Sequence, residues 1–338
     1  MPHLGFLEAG AIGLLQGVTE LFPVSSLGHS VLIPAVIGGS WARDLDVSSP
    51  ESPYLAFIVG LHVATAAALI VYFRRDWVRI VVGLLTSLRD REVVTSDQKL
   101  GWLLVIATIP VGVSGLLLEH TFRTTLGKPV VAAAFLTING VVLLAAERMR
   151  HRPSPQDATY GGRHGAHRRP LVAASGKTVA GSGVSGTGVP GPDSEPGPQP
   201  DVDPAIASDQ RLSRLRQSDG LIVGSAQILA LAPGISRSGI AMVAGLLRGL
   251  SHEDAARFSF LLATPVILTA GVLKLPDLFG PLGEGIRVQA LFGAALSGMA
   301  AFLSVRFLTR YFENRTLKPF AVYCIAAGLF CLARFTLF

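Results

Sequence analysis

Long apolar runs alternate with short basic stretches along the whole chain. Six runs approach the roughly 20 residues that a helix needs to cross a bilayer, and the only strongly charged residues in them are Arg257, at the first position of one run, and Arg334, near the end of the last. They are 54–73, 102–118, 129–146, 257–273, 288–305 and 319–337. The pattern predicts an all-α integral membrane protein with these six segments as transmembrane helices.

Two further apolar regions are interrupted near their centres by polar turns that contain glycine and proline. Region 5–39 is broken at 23–26, and region 219–250 is broken at 233–236. Each half of such a region is too short to span, so both are predicted to be re-entrant helical hairpins. Irregular backbone in a membrane is tolerated only where it is buried in protein or lines a polar cavity.

The basic residues give all these segments one consistent orientation. Cytoplasmic loops of membrane proteins are enriched in lysine and arginine. The stretches that follow 54–73, 129–146 and 288–305 are therefore expected in the cytoplasm, and the C-terminus outside. Their basic residues are Arg74, Arg75, Arg79, Arg89 and Arg91, then Arg148, Arg150 and Arg152, then Arg306, Arg310, Arg315 and Lys318.

In this orientation each half of the chain has the same plan. Residues 1–150 and 219–338 each hold one hairpin followed by three spans, and the two halves start on opposite sides of the membrane. Inverted repeats with broken helices that meet near the midplane are typical of a central polar site, especially in transporters. The insert between them, 151–218, is rich in Gly, Pro, Ser and mixed charge. It is predicted to be a disordered cytoplasmic loop.

Composition agrees with the membrane assignment. Half of the 338 residues are apolar and only 15% are charged, which is low for a soluble domain of this length. The net charge of +6 resides in short loops and in the insert. It therefore indicates orientation in a membrane and not a nucleic-acid partner. Cys324 and Cys331 share one apolar segment, lie too far apart to pair, and are predicted to be packing residues.

The first turn carries side chains that are costly inside a membrane. Gln16 and Glu20 are four residues apart, so a helix places them on one face. A carboxylate in an apolar hairpin is a functional hypothesis by default. The alternative is that Glu20 caps a helix or pairs with Arg237 for structure alone. His29 gains weight as a candidate because it follows Glu20 across the Pro-Val-Ser-Ser turn.

The second turn, Ala-Pro-Gly-Ile-Ser-Arg-Ser-Gly over 232–239, suits an anion. Gly234 permits close backbone approach, a helix N-terminus directs N–H groups at the ligand, and Arg237 can bind two phosphate oxygens. The flanking Ser236 and Ser238 complete a phosphate cradle. The alternative is a purely structural helix cap with a snorkelling arginine.

Together these residues predict cleavage of a phosphate ester or anhydride. Arg237 would neutralise charge on the transferring phosphoryl group. Gln16 and Glu20 could hold a hard divalent cation, Mg²⁺ or Ca²⁺, whose shell the substrate phosphates would complete. Ser26 or His29 would be the nucleophile or would activate it. The residues alone leave transport of a lipid phosphate open, whereas a structural scaffold would give no reason for charges in apolar hairpins.

The two turns resemble the signature motifs of the undecaprenyl-diphosphate phosphatase family of the bacitracin-resistance type. The (E/Q)xxxE motif of that family is matched at 16–20, its extension PVSSxGH at 23–29, and its PGxSRSxxT motif from 233 to 238. The resemblance covers the chain except for roughly 151–218. One position departs, since the final threonine of the second motif is Ala241 here; a hydroxyl there is not essential, or Ser238 substitutes for it.

The resemblance implies an enzyme that hydrolyses undecaprenyl diphosphate to the monophosphate. This reaction recycles the lipid carrier for peptidoglycan, cell-wall and cell-shape functions, and confers bacitracin resistance. It implies a divalent cation, a bacterial plasma membrane with the site facing outside, membrane lipid as partner, and a homodimer as one assembly to consider. The residues carried over as catalytic are Glu20, Ser26, His29 and Arg237, those for the cation are Gln16 and Glu20, and those for the substrate are Ser25, Gly234, Ser236 and Ser238.

Overall fold

The computed structural model describes residues 4–45, 53–149, 203–280 and 283–337. Within these ranges the chain forms helices joined by turns, and no β-strand occurs. The helices are α1 (Phe6–Thr19), α2 (Ser26–Ile37), α3 (Gly39–Asp44), α4 (Pro53–Tyr72), α5 (Arg74–Asp90), α6 (Ser96–Leu126), α7 (Pro129–Met149), α8 (Pro204–Leu212), α9 (Gln217–Ala226), a 3₁₀ turn (Gln227–Leu231), α10 (Arg237–Leu247), α11 (His252–Phe279), α12 (Arg287–Asn314) and α13 (Lys318–Leu337).

Each predicted span lies within one of these helices to within a residue. Among the described residues, five helices are long and apolar enough to cross a membrane, or up to six if the bent pair α4–α5 counts as one span. Large apolar side chains cover their outer surface; Leu117, Leu291 and Leu337 are 74%, 73% and 73% exposed. Such a surface suits lipid and not water, so the chain is a multi-pass membrane protein.

The basic stretch after α4, expected to be a loop, is the helix α5. It leaves α4 at an angle of 87°, and Val78, Val82 and Leu85 are exposed along one of its faces. A basic amphipathic helix at a right angle to a span has the geometry of a helix that lies in the membrane interface. The arginines interrupt the hydropathy of this stretch but leave its helical period of apolar residues intact.

The two interrupted regions are pairs of short helices joined by turns, as predicted. In the first, α1 and α2 flank residues 20–25; in the second, α9 and its 3₁₀ turn lead through 232–236 into α10. The first arm of each pair packs on a span of the opposite half, α1 on α12 and α9 on α6. Glycines permit both contacts, because a Cβ on Gly13 would overlap the Gly293 carbonyl and one on Gly224 would overlap that of Ala107.

The long helices also pair across the two halves. The third span of the first half, α7, packs against the third span of the second, α13, and the first spans α4 and α11 pack together. The two halves are therefore interlocked along most of their length, and the turns of the two hairpins are brought to the same place.

The prediction that the insert is disordered is wrong for its last part, 203–218. The stretch 150–202 lies outside the described residues, but α8 and the start of α9 follow it. Asp209 of α8 is buried and accepts hydrogen bonds from Arg79 at 2.6 Å and from Arg257 at 2.9 Å. Ion pairs hold this segment, so a count of its apolar residues could not predict its order.

Candidate active site

The turns of the two hairpins touch each other through glycines. A Cβ on Gly28 would lie 2.9 Å from the Gly234 Cα. Gly234 has a φ of +107°, and a side chain there would overlap the Ala132 carbonyl oxygen, so only glycine fits. The Ser25 hydroxyl joins the turns, because it accepts from the Gly28 and Gly234 amides, each at 3.2 Å. Ser25 and Gly234, predicted to bind substrate, thus form the junction between the turns.

Asn139, in the middle of α7, holds the same junction from a third side. Its Oδ1 accepts from the Ser236 amide at 3.0 Å, and its Nδ2 donates to the Pro23 carbonyl at 3.1 Å. The hydroxyls of Ser236 and Ser238 donate to the Phe22 carbonyl at 3.4 and 3.2 Å. These two serines, predicted to form a phosphate cradle, are buried and direct their hydroxyls at the first turn.

The Glu20 carboxylate is the centre of the polar cluster beside this junction. Arg237 Nη2 donates to its Oε1 and forms an ion pair with it. Gln16 Nε2 and Ser26 Oγ donate to its Oε2 at 2.8 and 2.5 Å, and His62 Nε2 lies 3.3 Å from the same oxygen. Four of the predicted site residues therefore come together, and the ion pair joins one hairpin to the other.

The cluster lies halfway along the membrane-crossing helices and is partly exposed. His62 is the tenth of the 20 residues of α4, and Asn139 is the eleventh of the 21 residues of α7. The Glu20 side chain is only 3% exposed, whereas those of Arg237 and His62 retain 22%. In addition, α2 begins at Ser26 and α10 begins at Arg237. The partial positive charges of two helix N-termini thus converge on the centre, an arrangement that favours an anion.

The two histidines near the turns have different surroundings. His29 Nδ1 lies 2.7 Å from the Ser25 carbonyl, and its Nε2 lies 2.7 Å from the Tyr323 hydroxyl. Because a carbonyl only accepts, Nδ1 carries the proton, and both ring nitrogens are engaged away from Glu20. His62 Nδ1 likewise donates to a carbonyl, that of Ile58 at 2.8 Å. Its Nε2 faces Glu20, so of the two histidines only His62 contacts the carboxylate.

Three residues of the site were not among those predicted. His62 and Asn139 are polar side chains within otherwise apolar spans, a signal that the sequence did contain. Tyr323 carried no comparable signal, because only the fold brings it to His29. Ala241, at the position of the missing hydroxyl, is buried in the apolar core, and Ser238 lies one turn earlier on the same helix.

Gln16 and Glu20 provide a partial fit to the predicted divalent cation. The Gln16 Oε1 atom is buried without a hydrogen-bond partner, beside a carboxylate, and hard cations take oxygen ligands of these two kinds. The described residues contain no group of three or more His, Cys, Asp or Glu placed to hold a metal. Gln16 and Glu20 would therefore supply only a minority of the ligands.

Fold and site together define a helical multi-pass membrane protein whose buried, ion-paired centre is assembled from two broken hairpins. Sequence comparison gives this class a family: the profile described as "Bacitracin resistance protein BacA" matches residues 9–182 and 200–330. The match covers most of the chain. The chain belongs to this family.

Three relatives that the chain matches over nearly their whole length are named undecaprenyl-diphosphatases. The chain is 54% identical over 376 residues to "Undecaprenyl-diphosphatase 1" of Frankia casuarinae, with 100% of both chains covered. It is 57% identical over 326 residues to "Undecaprenyl-diphosphatase" of Mycolicibacterium paratuberculosis, with 96% of each covered. It is 39% identical over 325 residues to "Undecaprenyl-diphosphatase 1" of Burkholderia pseudomallei, with 96% of this chain and 95% of the relative covered.

Proposed function

We propose that this protein is an undecaprenyl-diphosphate phosphatase, which releases one phosphate from the lipid diphosphate. The observation that carries the proposal is the hydroxyl of Ser26 on the buried carboxylate of Glu20, with Arg237 on the other oxygen. A nucleophile, a base and a phosphate-binding cation are thereby adjacent. The names of the full-length relatives support hydrolysis over the alternative of lipid-phosphate transport.

The geometry suits a reaction in two steps. As Ser26 Oγ attacks the terminal phosphorus, Glu20 accepts the hydroxyl proton. The bond from that phosphorus to the bridging oxygen breaks, and the lipid monophosphate leaves with the electron pair and takes up the proton. Water then attacks the phosphoserine, and its proton passes through Glu20 to Ser26 Oγ as phosphate departs. Arg237 and the N-termini of α2 and α10 stabilise the negative charge throughout.

Two other assignments of the nucleophile remain to be compared with this one. Water could attack directly, with Glu20 as the base, or His29 could form the covalent intermediate. Both ring nitrogens of His29 are engaged by Ser25 and Tyr323, which favours Ser26 and gives His29 a role in positioning the turn.

Gln16 and Glu20 would hold the divalent cation. When bound, it would supply further positive charge to the phosphate oxygens. The ion pair with Arg237 already occupies one carboxylate oxygen, so weak cation binding is expected, with most ligands from substrate and water.

The membrane arrangement proposed is six spans and two re-entrant hairpins in an inverted repeat, in a bacterial plasma membrane. The basic stretches after α4, α7 and α12 support one orientation, and we propose that the site is reached from outside. There the enzyme would recycle the lipid carrier of peptidoglycan synthesis, and this activity would confer resistance to bacitracin. We also propose a homodimer, for which the described residues show no contact between copies.

The proposal is tested by phosphate release from an isoprenyl diphosphate by purified protein in detergent. Arg237→Ala is expected to lower kcat/KM by about 10³-fold, because it removes the main cation from the transferring phosphoryl group. Arg237→Lys is expected to recover only part of this loss, since lysine lacks the planar pair of donors with which a guanidinium binds two oxygens of one phosphate side by side. A chelator is expected to lower the wild-type rate.

The matched control is Arg248→Ala, at the other end of the same helix. Arg248 forms a partly exposed ion pair with Asp219 at 3.4 Å, so its loss should leave phosphate release within about twofold of wild type. Wild-type protein that binds the lipid diphosphate but releases no phosphate would contradict the enzyme and favour a transporter.

A further inference from the structure

A basic cavity lies away from the catalytic centre, at the C-terminal end of α12. Its volume is about 540 Å³. Three arginines supply its charge, and none of them forms a salt bridge to a residue that the structure describes. The main residues of this cavity are Arg306, Arg310 and Arg315 on the polar side and Leu303, Phe307 and Tyr311 on the apolar side.

An apolar groove of about 390 Å³ lies next to this cavity, beside the first hairpin. It runs between α12 and the first hairpin, where Val18 and Phe22 form one wall and Met299 forms part of the other. Leu303 and Phe307 line both the groove and the basic cavity, so the two spaces adjoin. One end is therefore cationic, and the other is hydrophobic and lies within the membrane.

We propose that the cavity and groove together bind an anionic phospholipid, with its phosphate at the arginines and one acyl chain in the groove. The arginines stand at the end of a membrane-crossing helix, at the depth of lipid headgroups, where basic pockets between helices bind anionic lipids. Three positive charges with no carboxylate partner among the described residues call for an anion, and guanidinium groups bind phosphate oxygens in pairs. From Arg310 to Met299 the helix rises by roughly 16 Å, a length that an acyl chain spans.

The bound lipid would touch the catalytic region at one point. Phe22 lines the groove, and its backbone carbonyl accepts the hydroxyls of Ser236 and Ser238. An acyl chain against Phe22 therefore rests on the turn that carries Glu20. This gives the lipid a route to influence the junction of the hairpins without being a substrate.

The test measures binding and not turnover, so its result is independent of the proposed enzyme. Purified full-length protein in neutral detergent is titrated with phosphatidylglycerol, with phosphatidylcholine, or with inorganic phosphate, and the thermal unfolding midpoint is followed. We expect phosphatidylglycerol alone to raise the midpoint. In Arg306→Ala/Arg310→Ala the lipid concentration needed for half of the shift should increase about tenfold or more.

The matched control is Arg214→Ala/Arg216→Ala, which removes the same charge from exposed positions outside the cavity. It should retain the wild-type response. Leu303→Trp, which fills the connection between cavity and groove, should weaken the response while keeping all three arginines. Equal shifts with both lipids, an equal shift with inorganic phosphate, or a wild-type response in both cavity variants would each overturn the proposal.

Discussion

Ser26 and His29 lie three residues apart near the start of α2, yet their side chains meet different partners. The Ser26 hydroxyl donates to the Glu20 carboxylate at 2.5 Å, whereas His29 bridges a backbone carbonyl and Tyr323. A hydroxyl needs a base to become a nucleophile, and Ser26 has one in contact. The difference in surroundings leads to opposite expectations for the two side chains.

Ser26→Ala is expected to lower the rate of phosphate release by about 10³-fold or more, because it removes the attacking atom. His29→Ala should cost about tenfold, through a displaced turn. The measurement is a rapid quench, in sodium dodecyl sulfate at mildly alkaline pH, of enzyme mixed with substrate labelled in the terminal phosphate, because phosphoserine and phosphohistidine both survive this quench. Wild type and His29→Ala should retain protein-bound label, and Ser26→Ala should not. Label that survives in Ser26→Ala and disappears in His29→Ala would make the histidine the nucleophile.

At the residue scale the motifs predicted the cluster but not the role of each member. Polar groups are costly inside apolar hairpins and therefore indicate a function. This signal predicts four members of the cluster: Gln16, Glu20, Ser26 and Arg237. The motifs predict that Ser25, Ser236 and Ser238 bind phosphate; in the structure their hydroxyls join the two turns, and their contact with substrate stays a prediction. A sequence motif does not distinguish a side chain that faces a ligand from one that faces the neighbouring backbone.

Among the elements, the hairpin arms depend most directly on single residues. Gly17 of α1 lies against α12, where a Cβ would overlap the Ser297 carbonyl oxygen, and Gly224 of α9 makes the corresponding contact with α6. Gly112, in the interior of α6, has open space around the position of a Cβ. A glycine-to-alanine substitution is therefore expected to have different effects on stability at Gly17 and at Gly112.

Gly17→Ala is expected to lower the free energy of unfolding by about 1–3 kcal/mol, because the helices must separate to admit a methyl group. Gly112→Ala should change it little or raise it by about 0.5–1 kcal/mol, since alanine restricts the unfolded chain. Denaturant unfolding in detergent measures both. A Gly17→Ala protein as stable as Gly112→Ala would show that the close contact does not constrain α1.

The docking of α8 depends on a small set of charges. Asp209→Asn is expected to destabilise the protein by about 1–3 kcal/mol, because it leaves Arg79 and Arg257 with only one of the two carboxylates that they share, Asp76. Asp90→Asn is the control, since its pair with Arg89 is exposed and worth little. If Asp209→Asn and Asp90→Asn unfold at the same midpoint, the buried charges do not hold α8 in place.

Hydropathy predicted the long helices well and the interfacial elements poorly. A run of about 20 apolar residues has few alternatives in a membrane, so the six segments were confirmed as parts of helices. In α5 and α8 charged side chains replace the apolar signal, and their partners lie far away in sequence. Arg79, for example, joins α5 to Asp209 across 130 residues, a pairing that no local pattern contains.

For the whole molecule, the main question is on which side each hairpin opens. In the proposed orientation both ends of the first hairpin are outside and both ends of the second are cytoplasmic. Ser40 follows the first hairpin and Ser218 precedes the second, and both are exposed. The native cysteines are buried, so they provide a low background for thiol labelling.

Ser40→Cys is expected to react with a membrane-impermeant maleimide added to intact cells, because the first hairpin returns to the side from which it entered. Ser218→Cys should react only after the cells are permeabilised. The two variants serve as controls for each other, with labelling detected by a shift in gel mobility. Labelling of both from outside would be incompatible with an inverted repeat of two re-entrant hairpins.

The ion pair between Glu20 and Arg237 also bears on how the chain is made. The carboxylate belongs to the first half and the guanidinium to the second, 217 positions later. Until the second half has been synthesised and inserted, the first holds an unpaired acidic group at a depth where such a group is expensive. Biogenesis of either half is therefore incomplete without the other, and the same two charges that serve the chemistry make the halves inseparable during assembly.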